Sequence, residues 1–282
     1  EGADLDIYHK TTEIHDTVKE ELSQIKNKFC YLFVGHWLRG EVGHDRKDIG
    51  MMIKTFCETF KKKARHNRPA LILKTSSATF SIIDRDQMFQ KIQNIIAPYG
   101  NNAPEIYLLH GDLSDAEMNS LYNHPKVKAM LSFTKGEGFG RPLLEFSITG
   151  KPVIASNWSG HVDFLKHSPL LPGKLQEIHP SAADQFLIKG SQWFTADYQY
   201  ASRVIKDVTE NYKNYLPNAR KQATFSKQEF NLHKMSEKFC ELIDKGLEGV
   251  PRQTTLKLPK LKKVGETEAP KLKLPKLKKV EV

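Results

Sequence analysis

The chain has 282 residues, 39% hydrophobic and 27% charged, with a formal net charge of +10. That composition excludes a fibrous or wholly disordered chain, the length allows one large domain or two small ones, and no apolar run reaches the ~18 residues of a membrane-spanning helix. Residues 251–282 hold ten bases and three acids, so this tail carries +7 and residues 1–250 only +3, which excludes a nucleic-acid footprint spread over the body.

The opening EGADLDIYHKTTEIHD is polar and is not a signal peptide. Short apolar runs then follow one another: FCYLFV (29–34), ALIL (70–73), IYLL (106–109), AMLSF (129–133) and PVIAS (152–156). They have strand length and are apolar on both faces, as a sheet covered on both sides requires. The segments between them read as helices. From Asp48 on, Ile49, Met52, Ile53, Phe56 and Phe60 share a helical face. Asp84, with Gln87 three residues later, predicts a capping box ahead of Met88, Phe89, Ile92, Ile95 and Ile96. Ser114 and Glu117 predict another, with Leu113 and Met118 spaced as a hydrophobic staple. Tyr198, Ala201, Val204, Ile205 and Val208 predict a further helix, and Phe230, Phe239, Leu242 and Ile243 a last one. Strand–helix alternation predicts an α/β fold with a doubly wound, parallel, Rossmann-like sheet, whose ligands bind beyond the carboxyl ends of the strands. Cys30, Cys57 and Cys240 form neither a disulfide framework nor a zinc site and are expected as small buried hydrophobes in a reducing, cytoplasmic setting.

The fourth apolar run leads into TKGEGFGRPLLEFSITGKPVIAS. Gly136, Gly138 and Gly140 allow positive φ and close approach of a ligand to the backbone. Pro142 suits the first turn of a helix that Thr149–Gly150 ends. A glycine-rich loop feeding a helix N-terminus is an anion site. Two acids frame it, Glu137 in the loop and Glu145 in the first turns of the helix. Carboxylates beside a phosphate repel it, so their expected partners are the hydroxyls of a sugar or ribose.

Glu137 and Glu145 stand in a Glu-x7-Glu arrangement, with GFG, Pro142, Leu144, Gly150, Pro152–Val153 and Gly160 in register. This segment resembles that of the retaining family-4 glycosyltransferases. The resemblance implies the C-terminal, nucleotide-sugar-binding half of a GT-B fold and a nucleotide-diphosphate sugar as donor substrate, with no cofactor and no metal. It implies that Glu137 contacts sugar hydroxyls, that the amides around Gly138, Phe139 and Gly140 hold the diphosphate or sugar, and that Glu145 holds the ribose. Arg141 departs from the usual apolar residue, and Leu144 is counted with the donor-binding set. Upstream, FVGHWLRGEVGHDRKDIGMMIKTF matches the first strand and loop of that half, with Lys47 as the diphosphate-binding lysine and, with Glu137, the catalytic pair. Gly35 and His36 fall where that family carries glycine and arginine. Lys74 is a further phosphate candidate or else a solvated strand-end lysine, and His110 and Gly111 correspond to the nucleobase edge.

EGADLDIY resembles that family's interdomain segment, so residues 1–27 are expected as linker and helix, 28–250 as the nucleotide-sugar-binding domain and 251–282 as a basic tail. The acceptor-binding N-terminal domain is expected elsewhere, in cis on a longer protein or in trans as a separate chain. The tail repeats LPKLKKV at 258–264 and 274–280 and reads as disordered, either a solubilising segment or a handle for an acidic partner.

Other classes fit less well. Asp84-Arg85-Asp86 could be the carboxylate motif of a metal-dependent glycosyltransferase, but it reads more simply as a cap and a first-turn acid. The spacing Gly136-x-Gly138-x-Gly140 is not a dinucleotide fingerprint, and the chain has neither a P-loop nor H-E-x-x-H. His161 and His167 read as loop or surface residues. Two alternatives remain open: a non-catalytic nucleotide-sugar-binding module needing a partner chain, and a DNA-modifying glycosyltransferase guided by the basic tail.

Overall fold

Each central strand alternates between two apolar sets. In β1 (Cys30–Val34), Tyr31 and Phe33 join one core, Cys30 and Leu32 the other. In β2 (Ala70–Lys74), Leu71 and Leu73 oppose Ala70 and Ile72 in the same way. A period of two with apolar residues on both sides permits no solvated face. The computed structural model describes residues 1–38, 40–77, 79–183 and 187–248. The tail 251–282 lies outside the described residues.

Helices cover both faces. The first core receives α2 (Ile49–Phe60), α3 (Ile82–Ile96) and α6 (Tyr198–Glu210). The second receives α1 (Asp16–Ser23), α4 (Asp115–Asn123) and α5 (Arg141–Ser147). Ala3, Tyr8, Val18, Leu22 and Ile25 are buried in this second core, and Ala3 bridges to Asn231. With β3 (Ile106–Leu109), β4 (Val127–Ser132), β5 (Val153–Ser156) and β6 (Leu170–Leu171), the sheet is parallel throughout, in the order β3-β2-β1-β4-β5-β6. The α/β fold with a doubly wound parallel sheet is therefore as the sequence predicts. The β1–β4 register slips by one after Cys30↔Val127, so Val127 and Met130 both face the second core.

Several local expectations are corrected. Ser81, not Asp84, caps α3, accepting from the Asp84 amide at 3.1 Å, because the Asp84 carboxylate is taken by other partners. The Ser114–Glu117 capping box forms as predicted, and Leu113 and Met118 pack on the second core. β7 (Gly173–Glu177) and β8 (Gln192–Ala196) form an antiparallel pair that the sequence pattern did not reveal. The last predicted helix is α8 (Leu232–Leu247), with Phe230 just ahead of it, and α7 (Tyr212–Glu229), which the sequence pattern did not reveal, precedes both. Phe239, Leu242 and Ile243 of α8 are exposed rather than core residues, and Cys240 beside them is exposed while Cys30 and Cys57 are buried. The chain divides into two compact units at Leu242, and the sheet lies in Glu1–Leu242. Among the described residues, no helix is long and apolar enough to cross a membrane.

Candidate functional site

Chain order reverses between β1 and β4: β2 and β3 extend the sheet on one side, β5 and β6 on the other. Ligands of doubly wound sheets bind beyond the carboxyl ends of the strands at such a point. The two segments that leave those ends are 35–48 and 133–140. The main chain ties them together, since the Lys135 amide donates to the Arg46 carbonyl at 2.8 Å.

Side chains complete the junction. Lys47 forms a hydrogen-bonded ion pair with Glu137 Oε1. Arg46 donates to the Gly136 carbonyl at 2.7 Å and approaches Glu137 Oε2 at 3.4 Å. Burial alone would push the Glu137 carboxyl up, but Lys47 and Arg46 together hold it below the usual carboxylate range. The two predicted catalytic residues are thus brought together, and Glu137 is ionised near neutrality. Arg46 was not singled out in the sequence, where it sits 91 residues from its carboxylate partner.

Backbone strain collects around Glu137. Among the described residues two non-glycines have positive φ: Asp48 at 53° and Ser159 at 79°. Left-handed backbone costs an L-residue roughly 1–2 kcal/mol and persists where surroundings enforce it, often at functional sites. Ser159 accepts from the Glu137 amide at 3.0 Å and donates to its carbonyl at 2.5 Å. The Gly160 amide donates to the same carbonyl at 3.1 Å. Of the three loop glycines, Gly140 alone has positive φ, at 92°. A Cβ on Gly136 or Gly138 would meet nothing within 4 Å. The close-packed glycine is Gly160, whose Cβ would lie 2.0 Å from the Gly138 carbonyl oxygen.

Past the loop, α5 presents Glu145. Arg141 meets Glu145 Oε1 at 3.2 Å, one turn apart, and the Tyr122 hydroxyl donates to Oε2 at 3.2 Å. Burial pushes the Glu145 carboxyl up, and Arg141 and Tyr122 only partly offset it. Arg141, the residue that departs from the family pattern, is therefore the cation on this acid. The Phe139 and Gly140 amides donate to no acceptor among the described residues. Leu144 is fully buried in the second core, and its amide donates to the Gly140 carbonyl at 3.3 Å.

The remaining predicted residues lie at the ends of β1, β2 and β3. The Gly35 amide donates to the Lys74 carbonyl at 3.1 Å, and His36 Nδ1 lies 3.2 Å from Ser76 Oγ. Lys74 donates to the Gly111 carbonyl at 2.6 Å and sits 5.4 Å from the Phe80 ring centroid, so it is not a solvated strand-end lysine. His110 Nε2 lies 2.7 Å from Asp84 Oδ2, and the Ser77 hydroxyl and amide both donate to that carboxylate. Asp84 is thereby a structural acid, and Asp86 pairs with Arg85.

His161 corrects the sequence reading. It is fully buried, packed against Gly140, and its Nε2 lies 2.6 Å from the Ser156 carbonyl. A carbonyl only accepts, so the proton sits on Nε2 and Nδ1 presents a lone pair. Burial lowers the imidazole pKa and keeps it neutral. His167 is exposed in a turn, as expected.

Comparison with known proteins agrees with this architecture. Residues 53–186 match the family model of group 1 glycosyl transferases. Among solved structures, sucrose-phosphate synthase from Thermosynechococcus elongatus superposes with a TM-score of 0.59 at 14% identity, over 88% of this chain and 51% of that one. The C-terminal domain of a group 1 glycosyl transferase, LpcC from Francisella tularensis, gives 0.57 at 14% identity over 82% of this chain and 100% of that domain. HepE from Anabaena, in complex with UDP and glucose, gives 0.59 at 14% identity over 86% of this chain and 55% of that one. These likenesses show a shared GT-B half-fold, and this chain spans about half of the two longer proteins. No curated protein is matched in sequence.

Proposed function

We propose that this chain is the nucleotide-sugar-binding half of a retaining, metal-independent glycosyltransferase. The observation that carries the reading is the meeting of Lys47 with Glu137 at the sheet's switch point, on the loop that continues into Glu145. HepE, of similar fold, holds UDP and glucose, which supports a nucleotide sugar as ligand.

Breaking an anomeric C–O bond leaves negative charge on the departing diphosphate and positive charge on the sugar. Lys47 and Arg46 are the cations at hand for the first, joined by the Phe139 and Gly140 amides. A diphosphate arriving there competes with Glu137 for Lys47. As Lys47 turns to phosphate, the Glu137 carboxylate becomes available to accept from sugar hydroxyls. Glu145 would accept from the ribose by exchanging its contact with Arg141, whose side chain is the more exposed of the pair. His110 and Gly111 border the base, with His110 oriented by Asp84, and Gly35, His36 and Lys74 line the approach. Metal plays no part in this scheme, and the work runs through fixed charges and amides.

A second reading is favoured by the half-length coverage of the longer neighbours. The chain then binds donor without turnover until an N-terminal acceptor domain, in cis or in trans, is supplied. The test is thermal melting and calorimetry of the chain against UDP-, GDP- and ADP-sugars with and without EDTA. One base should stabilise it, unaffected by EDTA. Glu145→Ala should weaken nucleotide binding, and Glu137→Ala should mainly weaken discrimination between nucleotide sugar and nucleotide. If neither variant changes affinity, the site is wrongly assigned. DNA binding lost on deleting 251–282 would move the reading to a DNA acceptor.

A further inference from the structure

We infer that Asp48 is a positioning residue whose buried carboxylate holds the Arg46–Lys47–Asp48 turn, and so aims both cations at the phosphate side of the site. The inference rests on the donor-site reading above and deepens it.

Three consecutive residues point in two directions. Arg46 and Lys47 reach Glu137, whereas the Asp48 side chain turns the other way, into the protein. Its left-handed backbone, φ 53° and ψ 36°, joins Lys47 to the start of α2. Asp48 precedes α2 directly, yet its carboxylate does not cap that helix; Asp45 does so instead, accepting from the Ile49 amide at 3.1 Å. The Asp48 carboxylate is therefore committed elsewhere. Its Oδ2 accepts from the Tyr198 hydroxyl at 2.6 Å and lies 3.3 Å from the Lys135 ammonium.

Lys135 is the pivot. It is buried, its Nζ donates to Thr195 Oγ1 at 3.3 Å, and it lies 5.3 Å from the Trp193 ring centroid. Its amide meanwhile donates to the Arg46 carbonyl and its carbonyl accepts from the Phe194 amide at 3.0 Å. One residue thus grips the turn twice, by main chain at Arg46 and by charge at Asp48, and ties both to β8. An ion pair taken out of water is a poor source of stability, but it fixes geometry, because either partner alone would be left charged and buried. Glycine would make this turn without strain. An aspartate there makes sense if the side chain is wanted for its grip.

The experiment uses the 282-residue chain and the variants Asp48→Ala, Asp48→Gly, Asp48→Asn and Tyr198→Phe. The first readout needs no ligand: titration of the Glu137 carboxyl by carbon-13 NMR, with Glu137→Gln to assign the signal. Lys47 and Arg46 hold Glu137 low only while they face it, so in Asp48→Ala its midpoint should rise by about one unit toward the ordinary value. Asp48→Gly, which keeps the backbone but not the grip, should behave similarly. Asp48→Asn should move it less. Tyr198→Phe, which preserves the ring stacked on Phe133, should give a smaller rise and carries the test if the Asp48 variants do not fold. The second readout is UDP and inorganic pyrophosphate affinity by calorimetry, with about a tenfold loss expected for Asp48→Ala, or 1.4 kcal/mol. A shifted Glu137 midpoint in a chain that binds neither probe would support the grip and count against the donor reading. Folded Asp48→Ala and Tyr198→Phe that titrate at Glu137 like the parent would overturn the inference, whatever the parent binds.

Discussion

Ser159 clasps both backbone polar groups of Glu137, its hydroxyl accepting from the Glu137 amide and donating to the Glu137 carbonyl. The clasp uses a backbone that serine rarely adopts, φ 79° and ψ −170°. Ser159→Ala should lose both hydrogen bonds and keep the strain, at a cost of about 2 kcal/mol. Ser159→Gly should cost less, since glycine takes that conformation freely. Urea denaturation at neutral pH gives the comparison, and equal losses would show that the strain is negligible.

Gly160 and Gly138 make a paired test of close packing. A Cβ at Gly160 would lie 2.0 Å from the Gly138 oxygen, whereas one at Gly138 meets nothing within 4 Å. Gly160→Ala should destabilise by about 3 kcal/mol or more, and Gly138→Ala by no more than about 1 kcal/mol. Thermal melting of the two variants decides it, and a reversed order would mean that the loop packs differently.

Asp45 titrates on the wrong side of its ordinary range. Burial pushes its carboxyl from 3.8 up to about 6. An acid raised on folding stays protonated in the native state while the unfolded chain ionises. Stability is therefore highest below about 4 and falls as pH rises to about 6, by on the order of 3 kcal/mol from this group. Asp45→Asn should remove that decline, leaving the variant relatively more stable at pH 7 than at pH 4. Chemical denaturation of both proteins at the two pH values tests the sign.

Tyr122 serves Glu145. Tyr122→Phe deletes the buried hydroxyl at Oε2, so the Glu145 carboxyl should rise further and stability should fall by about 1–3 kcal/mol. The loss should be greater at pH 8 than at pH 5, because the ionised form loses most. Equal losses at both pH values would argue that Arg141 alone satisfies the acid.

The sheet was legible because parallel strands covered on both faces are continuous apolar runs. β6, two residues long, and β7, with GKLQE exposed throughout, have no such signature. α7 was hidden by its weak apolar face and by Pro217 inside it. In the candidate site, Glu137 and Glu145 stand out on a glycine-rich loop and a helix start, whereas Lys47 is marked only by the family resemblance. Arg46, Lys135, Ser159 and Tyr198 carry no such mark, since each acquires its role from a partner far away in the chain. His161 carries no local sign of its burial, because an isolated histidine in a loop-like segment looks like a surface residue and only the fold brings Ser156 and Gly140 against it.

The six-stranded sheet ends in a short strand on each side. β3 and β6 border it, four and two residues long. Open strand borders invite other chains to add on, and brevity is one way to discourage that. With so little ladder to offer, these two borders give a second copy almost nothing to pair with, and strand addition is discouraged at both.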